Sequence, residues 1–176
     1  MKFIETNLKG AYIVELKKLE DERGFFARSW CQREGEVFGL NPHWVQCNVS
    51  FNKEKGTLRG MHFQGVPFEE VKLVRCSRGA IYDVIIDLRR ESSTFAQWTG
   101  AELTAENHRM IYVPKGFAHG FLTLQDHSEV FYQMSEFYAP AHASGVRWND
   151  PVFGIEWPIG VSVMTDKDRT FPDFRR

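Results

Sequence analysis

A histidine, a lysine and an arginine lie close together in strand-like sequence. They are His62, Lys72 and Arg59, within segments 58–64 and 72–76. A neutral imidazole can take a proton from carbon near pH 7, and a nearby lysine can hold the oxyanion that results. An arginine can fix a phosphate through two parallel hydrogen bonds. Together these residue types predict proton abstraction next to a carbonyl, on a substrate that carries phosphate.

Each of the three residues also has an ordinary structural interpretation. A lone strand histidine such as His62 is more often structural than catalytic, and Arg59 and Lys72 could be solvated residues on an outer face. Both cations would be awkward in a plain core, because an unpaired buried charge is costly. Their proximity to His62 therefore favours the functional interpretation.

Length and composition indicate one globular domain. The chain has 176 residues, of which 43% are apolar, and its formal net charge is −1. These values predict a single domain over residues 1–176 and exclude extensive disorder. The sequence has no basic tract, so we expect neither nucleic acid nor a membrane surface as a partner. A small phosphate ligand needs only local positive groups and stays possible.

The lack of a recognisable targeting signal and the cysteine usage together predict a cytoplasmic protein. Residues 1–10 lack the apolar core of a signal peptide, and no stretch approaches the roughly 20 apolar residues of a membrane span. The three cysteines, Cys31, Cys47 and Cys76, lack metal-site spacing and are interpreted as reduced thiols.

Glycine and proline punctuate short apolar segments along the chain, a pattern typical of an all-β sandwich or barrel. The predicted strands are 11–16, 71–76, 80–88, 97–103, 110–113, 120–124 and 129–138. Val84, Ile85 and Ile86 form a continuous apolar run, which predicts a strand buried on both faces.

One helix is predicted over residues 30–38, where Ser29 and Gln32 resemble a capping box. Gly35 lowers the helix propensity of this segment. The tail 150–176 is rich in proline, glycine and aspartate, and we expect it to wrap the sandwich as irregular structure.

Two tyrosines in the last predicted strand could serve two parts of one ligand. Tyr132 and Tyr138 share a face if strand 129–138 stays extended, and they then lie roughly 20 Å apart at about 3.4 Å per residue. A nucleotide-sugar has a comparable reach from hexose to base. One tyrosine could act on the sugar while the other stacks on the base. The alternative is two core tyrosines with local partners.

The run 114–119, Pro-Lys-Gly-Phe-Ala-His, resembles the second motif of the cupin superfamily, whose fold is a small β barrel or jelly roll. Metal-binding cupins carry two histidines one residue apart in their first motif, whereas this chain has only His62 in that place. A metal site built from His62, His119 and either Glu69 or Glu70 remains the alternative, and it would indicate a metal-dependent oxygenase or isomerase.

Further motifs follow one another in order from Asp21 to Pro172. They are Asp-Glu-Arg-Gly-Phe-Phe at 21–26, then Gln46, Asn48 and Ser50, segments 58–64, 72–76 and 116–121, Trp-Asn-Asp at 148–150, and Gly-Ile-Glu-Trp-Pro at 154–158. In this order they resemble the dTDP-4-dehydrorhamnose 3,5-epimerase family. The resemblance implies an all-β cupin jelly roll (a double-stranded β-helix) that works without a metal or other cofactor. It also implies a homodimer that shares strands and that inverts carbon 3, carbon 5 or both of a nucleotide-linked 4-keto-6-deoxyhexose.

The same resemblance implies roles for individual residues. His62 matches the catalytic base, Asp168 the carboxylate that pairs with it, Lys72 the lysine beside the 4-keto oxygen, and Tyr132 the proton donor on the other sugar face. Tyr138 matches the aromatic residue that stacks on the base. Substrate contacts are implied for Arg23, Phe26, Gln46, Asn48, Arg59, His119 and Lys167.

Three positions depart from the family pattern. Arg28 and Ala143 each stand where family members typically have a substrate-contacting glutamate, and Cys47 stands where the family usually has aspartate. Because these are recognition positions, they leave open an epimerase of carbon 3 only or carbon 5 only, or one that uses a GDP-, CDP- or UDP-linked sugar. A non-catalytic sugar-nucleotide binding module is a further alternative.

Overall fold

The computed structural model describes residues 1–41 and 43–175, so that Pro42 and Arg176, the last residue of the predicted tail, lie outside the described residues. The strands are β1 (Lys2–Glu5), β2 (Tyr12–Glu15), β3 (Leu19–Asp21), β4 (Gly24–Phe26), β5 (Gln46–Asn52), β6 (Leu58–Gln64), β7 (Lys72–Arg78), β8 (Ala80–Asp87), β9 (Trp98–Thr104), β10 (Met110–Val113), β11 (Phe117–Thr123), β12 (Ser128–Met134) and β13 (Ala143–Gly145). The helices are α1 (Gln32–Val37) and α2 (Asp166–Arg169). No helix in this part of the chain is long and apolar enough to cross a membrane.

The strands form two antiparallel sheets and a separate hairpin. The larger sheet has the order β1-β2-β10-β7-β12-β5, the smaller has the order β13-β6-β11-β8-β9, and β3 pairs with β4. Within each sheet, most neighbouring strands are distant from one another in sequence. This arrangement is the predicted all-β jelly roll of the cupin type.

Apolar side chains fill the space between the two sheets. Val74 and Ile111 of the larger sheet pack in one cluster with Ile85 and Phe121 of the smaller sheet. Val84 and Ile86 belong instead to a second cluster on the outer face of the smaller sheet. The apolar run in β8 is therefore buried on both faces, as predicted.

Segments outside the two sheets pack on both outer faces. The C-terminal tail packs Phe153, Trp157 and Phe174 on the smaller sheet. Trp30 and Leu40, which flank α1, pack on the larger sheet. The expected wrapping of the sandwich by the tail is confirmed, although the tail also contains α2, a helix that was not predicted.

Two element predictions were wrong in detail. The strand predicted over 129–138 ends at Met134, because Met134 pairs with the first residues of both neighbouring strands, Gln46 and Lys72. Tyr138 therefore does not share a strand face with Tyr132. The predicted capping box is also absent, since α1 begins after Cys31 without a side-chain cap.

Strands β6 and β11 approach each other closely at a glycine in the middle of the smaller sheet. A Cβ atom on Gly120 would lie 2.6 Å from Met61 Sδ and 2.8 Å from the Arg59 carbonyl oxygen. These distances are below ordinary van der Waals contact. Only a residue without a side chain fits between the two strands at this point.

We predict that Gly120→Ala lowers the free energy of unfolding by about 2 kcal/mol, because the methyl group must push β6 away from β11. Urea unfolding measures the change. Gly160→Ala is the matched control, since a Cβ atom there meets nothing within 4 Å. Equal stability of the two variants would contradict the predicted strand contact.

A buried carboxylate at the end of β8 organises the loop that follows. Asp87 accepts hydrogen bonds from Arg89 Nη2 at 2.7 Å, Ser92 Oγ at 2.6 Å and Thr94 Oγ1 at 2.6 Å. Burial by itself raises the pKa of Asp87, but these hydrogen bonds outweigh burial and lower the pKa to about 2. The charged form of Asp87 therefore stabilises the folded state.

Because the pKa of Asp87 is lower in the folded state than in the unfolded state, its contribution is complete above about pH 4 and is lost as pH falls through about 2. We predict that Asp87→Asn lowers the free energy of unfolding by about 2 kcal/mol at pH 7. The variant should also lose less stability than the wild type between pH 7 and pH 3. Urea unfolding of both proteins at the two pH values checks this, and an unchanged pH dependence would argue against it.

Candidate active site

A cavity with two lobes lies between the sheets. Each lobe has a volume of about 350 Å³, and His62, Lys72 and Tyr132 line both lobes. Arg59 and His119 also line the first lobe, which we name the Arg59 lobe. The second, named the Tyr138 lobe, is also lined by Gln46, Asn48, Met134, Tyr138, Ala143 and Lys167.

Strand pairing explains how residues distant in sequence reach this cavity. His62 of β6 lies directly opposite His119 of β11. On the larger sheet, Tyr132 of β12 lies opposite Asn48 of β5. Side chains on a strand alternate between faces, so residues at these paired positions enter the cavity together.

The imidazole of His62 is held by a buried carboxylate from the C-terminal tail. Asp168 Oδ1 lies 2.7 Å from His62 Nε2, and the side chains are 6% and 43% exposed, respectively. The other oxygen, Oδ2, accepts a hydrogen bond from the Gly60 amide at 3.2 Å. Helix α2 places this carboxylate, and the Thr165 hydroxyl at its N-cap accepts from the Asp168 amide.

Burial raises the pKa of Asp168, but its hydrogen bonds to His62 and Gly60 outweigh burial and hold the pKa below its usual value. Asp168 is therefore ionised at neutral pH. In a neutral imidazole the proton then sits on Nε2, facing the carboxylate, and Nδ1 carries the lone pair that can accept a proton. This is the protonation state that a general base requires.

Lys72 is a buried cation that faces both lobes. Its Nζ atom lies 2.9 Å from Oε1 of Glu70, a residue that also lines the Tyr138 lobe. The ammonium can therefore donate hydrogen bonds into the same space that the His62 imidazole reaches.

Tyr132 is protonated at neutral pH. Burial is the largest influence and raises the pKa of its hydroxyl, and the negative charge of Glu70 raises it further, while Arg59 acts in the opposite direction. A phenol of raised pKa in a cavity is suited to donate a proton rather than to accept one.

A second histidine–carboxylate pair lines the Arg59 lobe. His119 Nε2 lies 2.9 Å from Oδ2 of Asp83, which is fully buried. Burial raises the pKa of Asp83, and the nearby His119 and Lys72 only partly oppose this. His119 was predicted as a site residue, whereas Asp83, which belongs to no motif, was not identified from the sequence.

The guanidinium of Arg59 is oriented by a buried amide. Arg59 Nε donates to Asn52 Oδ1 at 2.7 Å, and Asn52 donates in turn to the carbonyl oxygens of Ser50 and Ser128. The guanidinium is therefore fixed on one edge, which leaves donors available to a phosphate. Asn52 was not identified from the sequence.

Nine of the twelve predicted site residues line this cavity, Asp168 joins the site through His62, and the remaining two do not reach it. Arg23 and Phe26 lie on the β3–β4 hairpin and line neither lobe. Arg23 pairs with Asp21 at 2.6 Å, and Phe26 is 72% exposed. Of the departures from the family pattern, Ala143 lines the Tyr138 lobe, whereas Arg28 pairs with Glu34 beside α1.

The donor groups of a metal-dependent cupin are not assembled here. In residues 1–41 and 43–175, no group of three or more histidine, cysteine, aspartate or glutamate side chains is arranged to hold a metal ion. His62 and His119 instead each pair with one aspartate through Nε2.

Comparison with known proteins gives one family. The model of the dTDP-4-dehydrorhamnose 3,5-epimerase family matches residues 5–176. The dTDP-4-dehydrorhamnose 3,5-epimerase of Salmonella typhimurium is 43% identical, with 96% of this chain and 93% of the relative covered.

Solved structures agree with the family match. The crystal structure of the Bacillus anthracis dTDP-4-dehydrorhamnose 3,5-epimerase, with TDP and PPi bound, is 48% identical with a TM-score of 0.94, over 98% of this chain and 99% of that one. A 3'-monoepimerase of Streptomyces bikiniensis in complex with dTDP-quinovose is 32% identical with a TM-score of 0.87, over 96% and 85% of the two chains. This chain therefore belongs to the dTDP-4-dehydrorhamnose 3,5-epimerase family and is an isomerase.

Proposed function

We propose that the protein epimerises a dTDP-linked 4-keto-6-deoxyhexose at carbon 3, carbon 5 or both, with His62, Lys72, Tyr132 and Asp168 as the chemical residues. The observation that carries this proposal is a single cavity lined by an imidazole, an ammonium and a protonated phenol. These three groups can remove a proton from carbon, stabilise the enolate that forms, and return a proton from a second side chain.

His62 is the base in this proposal. Hydrogens on carbons 3 and 5 are acidic because both carbons adjoin the 4-keto group. Nδ1 of neutral His62 takes one of these protons, and the ionised Asp168 carboxylate, 2.7 Å from Nε2, stabilises the imidazolium that forms. The 43% exposure of the His62 side chain leaves the ring accessible to substrate.

Lys72 stabilises the enolate that proton removal creates. Its ammonium lies in a cavity wall largely shielded from water, where a charged donor acts more strongly than in solvent. Loss of one donor to an oxyanion typically costs about 3 kcal/mol of transition-state stabilisation.

Tyr132 supplies the proton that inverts the carbon. Inversion requires that the new hydrogen arrive on the face opposite to the one from which the first was removed. Tyr132 belongs to the larger sheet and His62 to the smaller, so the two side chains enter the cavity from different walls. A base and an acid on different walls distinguish an epimerase from a catalyst of simple exchange.

The two lobes suit the remaining parts of a nucleotide-sugar. Arg59, held by Asn52, can bind a phosphate oxygen. Tyr138 is 54% exposed at the edge of its lobe, where its ring can stack on a base, and Lys167 adds a positive charge nearby. TDP in the similar Bacillus anthracis structure supports thymidine as the nucleoside.

We predict that His62→Asn abolishes exchange of the sugar α hydrogens in heavy water, because no base remains to remove them. Tyr132→Phe should retain exchange and lose inversion, since removal of the proton does not need the phenol. Proton NMR of dTDP-, GDP-, CDP- and UDP-linked 4-keto sugars records exchange and configuration at each carbon. It thereby also distinguishes inversion of carbon 3 from inversion of carbon 5.

Two results would contradict these assignments. Inversion by Tyr132→Phe at the wild-type rate would remove Tyr132 as the donor. Tight binding of the nucleotide-sugars by the wild type without any exchange would favour a binding module instead of an enzyme.

The functional unit in this proposal is a homodimer in which the hairpin of one subunit completes the site of the other. Arg23 and Phe26 match substrate contacts of the family but line neither lobe of their own chain. Phe25 and Phe26 are exposed on the same hairpin, and Val49 and Phe51 are exposed on the edge strand β5. Exposed aromatic and aliphatic residues of this kind mark surfaces that a partner covers.

We predict that His62→Asn and Arg23→Ala subunits, each nearly inactive alone, regain activity when they are mixed and allowed to exchange. A mixed dimer has one site with both His62 and Arg23 intact, so random exchange in a two-fold dimer restores about a quarter of the wild-type rate. Native mass spectrometry verifies that mixed dimers form. Mixed dimers without activity would show that Arg23 does not act across the interface.

We further infer that the protein works in the cytoplasm. Cys31, Cys47 and Cys76 are all free thiols. Unpaired cysteines persist most readily in a reducing compartment.

A further inference from the structure

A buried glutamate lies beside the lysine of the cavity. Oε1 of Glu70 is 2.9 Å from Nζ of Lys72, and the two side chains are only 5% and 9% exposed. Glu70 also lines the Tyr138 lobe, together with His62 and Tyr132. Its carboxylate is therefore part of the wall of the reaction space.

The backbone next to Glu70 is fixed on both sides. The Val71 amide donates to Ser135 Oγ at 2.8 Å, and the Ser135 amide donates to the Val71 carbonyl oxygen at 3.0 Å. On the other side, Gln64 Nε2 donates to the Phe68 carbonyl oxygen at 2.8 Å. The backbone at Glu70 is therefore held in place. A residue that orients another side chain requires such support.

The charge distribution leaves Glu70 as the partner of Lys72. In the described part of the chain, no other carboxylate forms an ion pair with the Lys72 ammonium. Asp83 is close enough for Lys72 to influence its pKa, but it pairs with His119, and burial raises its pKa. A buried ammonium needs a close negative charge, and Glu70 supplies it.

One oxygen of Glu70 has no structural use. Oε2 is buried and has no hydrogen-bond partner. A half-satisfied buried carboxylate is destabilising, so the charge of Glu70 is kept at a cost in stability. Charged groups kept under such conditions are concentrated at functional sites.

We propose that Glu70 is a positioning residue that directs the Lys72 ammonium at the keto oxygen of the substrate. This inference rests on the proposed epimerase function and adds to it the group that prepares the enolate site before substrate arrives. In this arrangement Glu70 does not touch the reacting atoms. It fixes one donor direction of Lys72, so that another can meet the developing negative charge without reorganisation.

The test is a double-mutant cycle between Glu70 and Lys72, read by the rate of α-hydrogen exchange in heavy water. Glu70→Gln should lower the exchange rate at saturating substrate about 10-fold, and Glu70→Ala should lower it further, because each weakens a charge-assisted contact. The KM should change less than about twofold if only the transition state is affected. In the Lys72→Met background, Glu70→Gln should have no further effect on the rate.

Glu69→Gln is the matched control. It removes the same charge from the adjacent residue, and Glu69 lines neither lobe. We expect it to exchange at the wild-type rate. Thermal unfolding and binding of TDP establish that each variant is folded, and if Glu70→Ala fails to fold, the cycle with Glu70→Gln still decides.

Several outcomes would overturn the inference. If Glu70→Gln exchanges the α hydrogens at or above the wild-type rate, the Glu70 carboxylate only weakens the electrostatic effect of the Lys72 ammonium on the substrate. Additive losses in the cycle, or a change in KM alone, would show that Glu70 acts independently of Lys72. These results leave the proposed function intact when the wild type exchanges, whereas absence of exchange in the wild type refutes the proposed function and this inference with it.

Discussion

The hydrogen bond between His62 and Asp168 is the contact on which the rest of the site depends. It joins β6 to helix α2 through two residues that are 106 positions apart in sequence, and it ties the C-terminal tail to a residue that lines both lobes of the cavity. The same carboxylate also binds the Gly60 amide. Because both oxygens of Asp168 are occupied, its orientation is fixed, and the imidazole keeps one tautomer. The tail therefore does more than cover the outer face of the smaller sheet, since it also fixes the orientation of the His62 imidazole.

Pairing of charges explains how the jelly roll tolerates a polar cavity beside its apolar core. Lys72 pairs with Glu70, His119 with Asp83, and His62 with Asp168. Each ionisable group that is unfavourable alone gains a partner from a different strand, a preceding turn or the tail. Buried pairs contribute little net stability, because desolvation offsets their attraction. Most of the stability of the fold therefore comes from the apolar clusters rather than from these three pairs.

The fold was largely accessible from sequence because its strongest signals are local. The apolar run in β8 and the turn residues between strands are properties of short segments, and they predicted strands where strands are found. The end of β12 is set by other strands. Met134 is the last residue of β12 because the neighbouring strands begin at Gln46 and Lys72, and no pattern within 129–138 indicates this. Five strands, β1, β3, β4, β5 and β13, were not predicted, and in β5 the large apolar residues Val49 and Phe51 are exposed.

The residues of the site likewise divide into those with a signal in their local sequence and those without one. His62, Lys72 and Arg59 drew attention through their own residue types, whereas Asp168 was assigned only through the family resemblance, since nothing in its local sequence points to His62. Glu70 was considered as a metal ligand, and its pairing with Lys72 needed the geometry. Asn52 and Asp83 act only through other side chains, Arg59 and His119, and side chains of that kind leave no motif.

The departures from the family pattern differ in their consequences because they occupy different places in the fold. Cys47 is exposed on β5, on the face opposite to that of Gln46 and Asn48, so it leaves the cavity wall of its own chain unchanged. Arg28 is exposed and engaged with Glu34, which also binds the N-terminal amine. Ala143, on β13, lies opposite Gln64 of β6 and lines the Tyr138 lobe. Alanine at this position brings neither the length nor the negative charge of a glutamate to the lobe that Lys167 also lines. Of the three departures, Ala143 is therefore the one that lines the cavity of its own chain.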